Sequence, residues 1–276
     1  FFGMGLVKTG GDFGIQGEPP SHPELLDWLA SDFIASGWDV KRLQRMIVSS
    51  AAYRQASRHR VDLHDDPENR LLGRAPRFRL SAEGVRDTAL VVSGLLNREI
   101  GGPSVKPHQP EGYLSSIGKQ WKESSGPQRH RRGLYTFWRR TMLYPSYQIF
   151  DAPSREFCSV DRPRTNTPLQ ALVTLNDPAF VEAARHFGFR MMEEGGETDA
   201  ARLRFGFQLA TSRKPGGDEL DVLQKTLAEQ RQQYGQDLEG ARAFIGSDER
   251  ENAGERAAWA ALGNILLNLD ETITRE

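Results

Sequence analysis

The sequence predicts a mainly α-helical protein, an irregular multi-helix domain with long loops and little or no β-sheet. Apolar residues recur at the three- and four-residue spacing of a helix in most segments between positions 21 and 269. Ser, Thr or Asp precedes most of these segments, and Gly or Pro follows several of them, as is typical of helix ends. No repeat of fixed period is visible, which argues against a solenoid.

The first hundred residues are predicted to hold three helices. Residues 1–20 are rich in Gly and end in two prolines, which indicates irregular chain with turns. Ser21 begins a capping-box pattern for a helix that ends at Gly37, and Asp39 fits the N-cap of the next helix. Ser81 begins the third helix, which the Gly-Gly-Pro run after position 100 ends.

The middle and the tail each contain a predicted loop. Residues 101–132 form a long loop, and a loop of this length is often functional. Residues 133–144 mix aromatic and β-branched side chains, and we favour a buried helix over a strand there. Residues 235–254 are polar and are predicted to form a surface loop.

The last third is predicted to be helical. Its helices cover residues 168–194, 198–212, 218–234 and 255–269. Thr167 and Asp177 each precede a proline and fit N-caps, so the first of these segments divides into two helices. The length of the chain suggests one large or two small domains. We predict a single domain over 1–276, with a possible division into a helical part (residues 1–100), a loop-rich basic part (residues 101–166) and a second helical part (residues 167–276).

Charge is balanced over the whole chain but uneven along it. The formal net charge is -1. Lys119 to Gln170 holds ten basic against four acidic residues, whereas Glu193 to Glu276 holds ten against seventeen. The balanced total and the lack of a binding motif argue against a nucleic acid partner, although basic and aromatic residues interleave in "QRHRRGLYTFWRR". No window approaches the roughly 18 apolar residues of a membrane span, so we predict none.

Cysteine and histidine give no sign of a metal site or a nucleophile. Cys158 is the single cysteine, so the chain has no intramolecular disulfide and no Cys-x-x-Cys-His haem motif. The six histidines lack metal-ligand spacing, and His59 and His64 are predicted to lie on the surface. Nucleophile-elbow and P-loop patterns do not occur. We therefore predict no metal and no cofactor in this chain.

The stretch "DRPRTNTPLQALVTLNDPAF", residues 161–180, contains the candidate site. Helix caps and turns account for about half of its residues and leave the arginines and the Thr-Asn pair unexplained. Guanidinium groups beside a core require carboxylates, carbonyls or an anionic ligand. We predict one polar cluster made of Arg140, Asp151, Arg162, Thr165, Asn166 and Gln170. It is either an internal ion-pair network or a pocket for a carboxylate, sulfate, phosphate or sugar.

Several motifs in fixed order carry a resemblance to a known family. They include "FGMGLVKTGGDFGIQGEPPSHPELLDWLA", "RRGLYTFWRR", "FDAPSREFCSVDRPRTNTPLQALVTLNDPAFVEAA" and "LLNLDETITRE". Over nearly the whole chain, the sequence resembles the C-terminal domain of unknown function in planctomycete cytochrome c domain-containing proteins. The resemblance implies an exported polypeptide of the periplasm or cell exterior, an upstream c-type haem domain as partner, an association with carbohydrate metabolism, and a chain truncated at its N-terminus.

Two functions follow as expectations. The favoured one is a binding or scaffold module that accompanies the haem domain, because no catalytic signature is present. The alternative is an enzyme or redox-coupled domain that acts on an anionic or carbohydrate substrate through Arg140, Asp151, Arg162 and Asn166. The sequence leaves open whether the chain is an enzyme.

Overall fold

The protein is described by a computed structural model over residues 1–57, 66–110, 121–246 and 252–275. Within these ranges it has eleven α-helices and one two-stranded sheet, which confirms the mainly α prediction. No helix in the described ranges is long and apolar enough to cross a membrane. His59, His64 and residues 111–120 of the predicted loop lie outside the described residues.

The elements have the following bounds. The helices are α1 (Pro23–Ala35), α2 (Val40–Ser49), α3 (Ala82–Val92), α4 (Pro145–Ile149), α5 (Pro168–Asn176), α6 (Pro178–Glu194), α7 (Asp199–Thr211), α8 (Gly217–Gln236), α9 (Leu238–Ile245), α10 (Ala253–Leu267) and α11 (Asp270–Ile273). Two 3₁₀ helices cover Gly126–His130 and Gly133–Tyr135. Strands β1 (Phe78–Arg79) and β2 (Thr274–Arg275) pair with each other.

The chain divides into two compact units. The first contains Phe1–Phe78, Cys158–Pro163 and Thr274–Glu276, and the second contains Arg79–Phe157 and Arg164–Ile273. The single domain predicted over 1–276, with its three sections, stays a prediction.

The first unit contains the hairpin of α1 and α2. Asp39 accepts a hydrogen bond from the backbone N of Arg42 at 2.9 Å, which confirms this N-cap. Gly37 and Trp38 both have positive φ values, 70° and 64°, in the turn between the helices. The capping box at Ser21 is wrong: His22 is the N-cap of α1, and the Ser21 hydroxyl instead donates to the carbonyl of Leu6 at 3.3 Å.

The second unit is built around α10. This helix packs against α6, α8 and α9 and buries a run of small and large apolar side chains that includes Trp259 and Leu262. Gly188 on α6 and Gly263 on α10 permit a close approach of the two backbones. A Cβ at Gly188 would lie 2.5 Å from the carbonyl carbon of Trp259, and one at Gly263 would lie 2.5 Å from the carbonyl oxygen of Ala184. The two glycines therefore let α6, which carries Glu182 and Arg185, pack closely against α10.

Most helices of the second unit confirm the sequence prediction at their N-termini. Ser81 accepts from the backbone N of Gly84 at 3.2 Å, and Thr198 accepts from that of Ala201 at 3.2 Å. Asp177 accepts from the backbone N of Ala179 at 2.9 Å. The α3 helix is shorter than predicted, because Gly94 adopts a left-handed φ of 80° directly after the C-cap residue.

Two predictions of local structure in the second unit are wrong. Residues 133–144 do not form the favoured helix beyond a 3₁₀ turn, because Val105 pairs with this segment through hydrogen bonds of 2.8 Å to Tyr135 and 2.7 Å from Phe137. The surface loop predicted at 235–254 contains α9, whose Ala241 and Ile245 are buried. Residues 247–251 of that loop lie outside the described residues.

Candidate functional site

Asp151 lies at the centre of one polar network of the second unit. It follows α4 with a left-handed φ of 60°. Its carboxylate accepts from the backbone N of Thr165 at 2.8 Å and from the Thr165 hydroxyl at 2.9 Å. Arg79, which sequence analysis did not select, pairs with Asp151 Oδ2 at 2.5 Å. The Asp151 carboxylate thus joins Arg79, at the end of β1, to the segment before α5.

Arg79 is saturated within this network. It is 8% exposed. Besides Asp151, its guanidinium donates to the carbonyl oxygens of Thr165, Leu80 and Phe150 at 2.8, 2.7 and 3.3 Å. Burial lowers the pKa of Arg79, and the Asp151 carboxylate opposes that shift. A cation with four acceptors around it has little capacity left for a ligand.

Gln170 completes the network. It is 1% exposed, and its Nε2 donates to the carbonyl of Ile149 at 3.0 Å and contacts the Thr165 hydroxyl at 3.1 Å. Its Oε1 accepts from the backbone N of Thr167 at 3.3 Å. We call Arg79, Asp151, Thr165 and Gln170 the Asp151 network.

The other predicted site residues lie apart from this network or outside its unit. Arg140 and Asn166 are exposed, and neither side chain makes a hydrogen bond or an ion pair with any residue in the described ranges. Arg162 is exposed and belongs to the first compact unit. The structure therefore brings together Asp151, Thr165 and Gln170 of the predicted set, around an arginine that the prediction lacks.

A second polar cluster of the same unit lines a cleft. The 3₁₀ helix Gly126–His130 places Arg129 and His130 beside Glu182 on the first turns of α6. Arg129 makes a short ion pair with Glu182 and lies 3.6 Å from Glu123. His108 Nδ1 lies 3.2 Å from Glu123 Oε2.

His130 is close to Glu182 without being saturated by it. Its Nε2 lies 3.3 Å from Glu182 Oε2, but this buried nitrogen has no well-aligned hydrogen bond. Burial raises the pKa of Glu182, but His130 and Arg129 together outweigh burial and bring it to about 2. Glu182 is therefore a carboxylate at neutral pH, and it attracts an adjacent imidazole nitrogen whose hydrogen bond to it is poorly aligned.

This cluster lines a cavity of about 230 Å³, which we call the first compartment. Its apolar walls are Leu90, Pro107, Pro178 and Ala179. Arg86, which is buried, donates to the carbonyl of Arg129 at 2.6 Å and so fixes the 3₁₀ turn. The two arginines and the two glutamates that line the cavity balance each other in charge.

A second compartment of about 460 Å³ adjoins the first and shares Arg129, Pro178 and Glu182 with it. Its own lining consists of Asn176, Val181, Arg185, His186, Phe189, Ile245 and Gly246. Burial lowers the pKa of His186 and that of Arg185. No group of three or more His, Cys, Asp or Glu with metal-binding geometry occurs within the described ranges of the chain.

Sequence analysis missed the cleft for a physical reason. Metal-ligand spacing is a local pattern, whereas His130 and Glu182 are brought together by tertiary structure across 52 positions. A usable signal was present in "GPQRHRR", whose proline and glycine indicate a turn that would hold several cations in one place. The longer tract "QRHRRGLYTFWRR" was considered only as a nucleic acid interface, which the balanced charge of the chain argues against.

Comparison with known proteins gives a family but no activity. No curated protein and no solved structure matches the chain. A family model matches residues 1–227, which is most of the sequence. The chain belongs to the PSD1 family, described as proteins of unknown function (DUF1553).

Proposed function

We propose that this chain is a binding module and that its first compartment takes a small, neutral ligand with several hydroxyl groups, such as a single sugar ring. The observation that carries the proposal is the charge-balanced set of Arg86, Arg129, Glu123 and Glu182, which together with two histidines lies over apolar walls. An ion would leave an uncompensated charge in such a set, whereas a polyol offers both donors and acceptors. The apolar walls suit the C–H face of a ring.

The size of the compartment supports a small ligand. Cavities for drug-sized ligands span about 300–1,000 Å³, and the first compartment measures about 230 Å³. His130 offers an imidazole nitrogen, and Glu182 offers carboxylate oxygens. These groups fix the orientation of a bound ring, as a few polar groups do in other sites.

Saturation-transfer NMR with a panel of neutral mono- and disaccharides tests this proposal. Glu182→Gln keeps the shape but removes the charge, so we expect binding to weaken by about tenfold or more. Glu194→Gln is the matched control, because Glu194 is on the same helix and pairs with Arg190 at an exposed position. No transfer to any member of the panel, or equal binding by Glu182→Gln and the unsubstituted protein, would contradict it.

The wider setting is also a proposal. The motif resemblance supports a module of an exported planctomycete polypeptide, in the periplasm or outside the cell, that accompanies an upstream c-type haem domain. A haem spectrum of the natural full-length polypeptide, recorded from an extracytoplasmic fraction, tests this setting. A cytoplasmic polypeptide without covalently bound haem would contradict it.

The enzyme alternative, with Arg140, Asp151, Arg162 and Asn166 as its site, has less support. The Asp151 carboxylate is engaged by Arg79 and Thr165, and both Arg140 and Asn166 are exposed. This arrangement supports the scaffold role for the predicted set. The binding role belongs to the cleft.

A further inference from the structure

We propose that the second compartment is a separate anion site in which Arg185 binds the oxyanion of a carboxylate, sulfate or phosphate group. The site goes beyond the neutral-ligand compartment and does not depend on it. It is formed between α6, which carries Arg185, and the end of α9 at Gly246.

The first observation concerns the bonding of the Arg185 side chain. Its Nε is buried and has no hydrogen-bond partner, and no carboxylate of the described residues lies within ion-pairing distance of its guanidinium. Arg190, on the same helix, instead pairs with Glu194 at 3.0 Å and donates to the carbonyl of Val92 at 3.0 Å. A half-buried cation without a counter-charge is costly, and an anion would offset that cost.

The surroundings of Arg185 are the second observation. A Cβ at Gly246 would lie 2.8 Å from Arg185 Nη1, so the guanidinium occupies space that only a glycine leaves open. The carbonyl end of α9 attracts a cation and accounts for part of this position. It leaves the hydrogen-bonding capacity of the guanidinium unused.

The third observation concerns the charges that line the second compartment and the volume of that compartment. In the second compartment Arg129 is already paired with Glu182, and no carboxylate of the described residues makes an ion pair with Arg185, although Glu182 attracts its guanidinium at longer range. Asn176 and His186 add amide and imidazole groups that can donate to an oxyanion. A compartment of about 460 Å³ has ample space for such a group.

Titration with sodium sulfate and with sodium phosphate at constant ionic strength tests the site, with calorimetry and the melting temperature as readouts. Sulfate also stabilises folded proteins without specific binding, so the comparison is between variants. We expect Arg185→Gln to weaken binding of both ions by about tenfold or more. Arg190→Gln, the control on the same helix, keeps the response.

Two further variants separate the alternatives. Arg185→Lys retains the charge and is expected to keep weakened binding, which guards against a folding defect in Arg185→Gln. Glu182→Gln removes a negative charge from the shared wall, so it should strengthen anion binding while it weakens the neutral ligand. Failure of one proposal is therefore distinguishable from failure of the other.

Three results would overturn the anion site. One is an equal response of Arg185→Gln and the unsubstituted protein, and another is a loss of the response in Arg190→Gln as large as the loss in Arg185→Gln. The third concerns Asp248, Glu249 and Glu251, which lie outside the described residues. If neutralising all three destabilises the protein as much as Arg185→Gln and no anion binds, a carboxylate of the chain itself is the partner.

Discussion

The Asp151 network and the first compartment contain the same kinds of charged and polar side chain. In the network these side chains bond one another, whereas in the first compartment they border a cavity. Arg79 has four acceptors at 2.5–3.3 Å, and Gln170 is almost fully buried, so the network is closed. In the first compartment, His130 keeps a buried nitrogen without an aligned partner, and the cluster borders a cavity. The difference teaches that a group of charged residues is a candidate site only when some of its bonding capacity remains unused.

The largest expected effect comes from a substitution in the Asp151 network. Asp151→Ala leaves Arg79 buried without its counter-charge, so the free energy of unfolding should fall by about 3–5 kcal/mol. Urea denaturation measures the loss. Asp221→Ala on the exposed face of α8 is the control and should change stability by less than about 0.5 kcal/mol.

A loss near that of the control would mean that the Asp151 network does not stabilise the fold. The network would then lose its assigned role, and the contrast with the cleft would fail.

An intermediate effect concerns Glu182 and pH. Its pKa is held down to about 2, so the stability that Glu182 contributes is fully present above the pKa of the unfolded chain and is lost as the pH falls towards 2. The unfolding free energy of the protein should exceed that of Glu182→Gln by about 1–2 kcal/mol above pH 4.5. That difference should shrink on acidification.

Urea denaturation of both proteins at several pH values between 6 and 3 checks this prediction. A difference that stays constant over the range would show that the charge of Glu182 is not what Arg129 and His130 stabilise.

The smallest expected effect concerns two exposed residues of the predicted cluster that lie outside the Asp151 network. Arg140→Ala and Asn166→Ala remove exposed members of the predicted cluster, and neither side chain has a partner in the described ranges. Each should change the unfolding free energy by less than about 0.5 kcal/mol. A loss above about 1 kcal/mol would mean that these side chains make stabilising contacts beyond those with the described residues.

The sequence predicts best what local physics decides. The N-caps at Asp39, Ser81 and Asp177 depend on side chains that bond the backbone two or three positions away, and all three are confirmed. The helix favoured at 133–144 is wrong because pairing with Val105, about thirty positions away, decides that segment.

The same limit explains what was missed in the polar clusters. Arg79 and Asp151 are 72 positions apart, and His130 and Glu182 are 52 positions apart. The residue types near 161–180 indicate that the arginines there need acceptors. The spacing of residues along the chain, however, does not identify a partner that tertiary structure brings from a distant segment. The helix α9 was missed because its charged residues mask the pair Ala241 and Ile245, which is buried against α10.

Ligand titration of Asp151→Asn and Glu182→Gln, side by side, tests the central claim most directly. The claim is that the Asp151 network stabilises the fold and that the cleft binds the ligand. We expect Asp151→Asn to unfold more easily and, while folded, to bind the neutral sugar as tightly as the unsubstituted protein, whereas Glu182→Gln loses that binding. Loss of binding in folded Asp151→Asn, with binding intact in Glu182→Gln, would contradict the account.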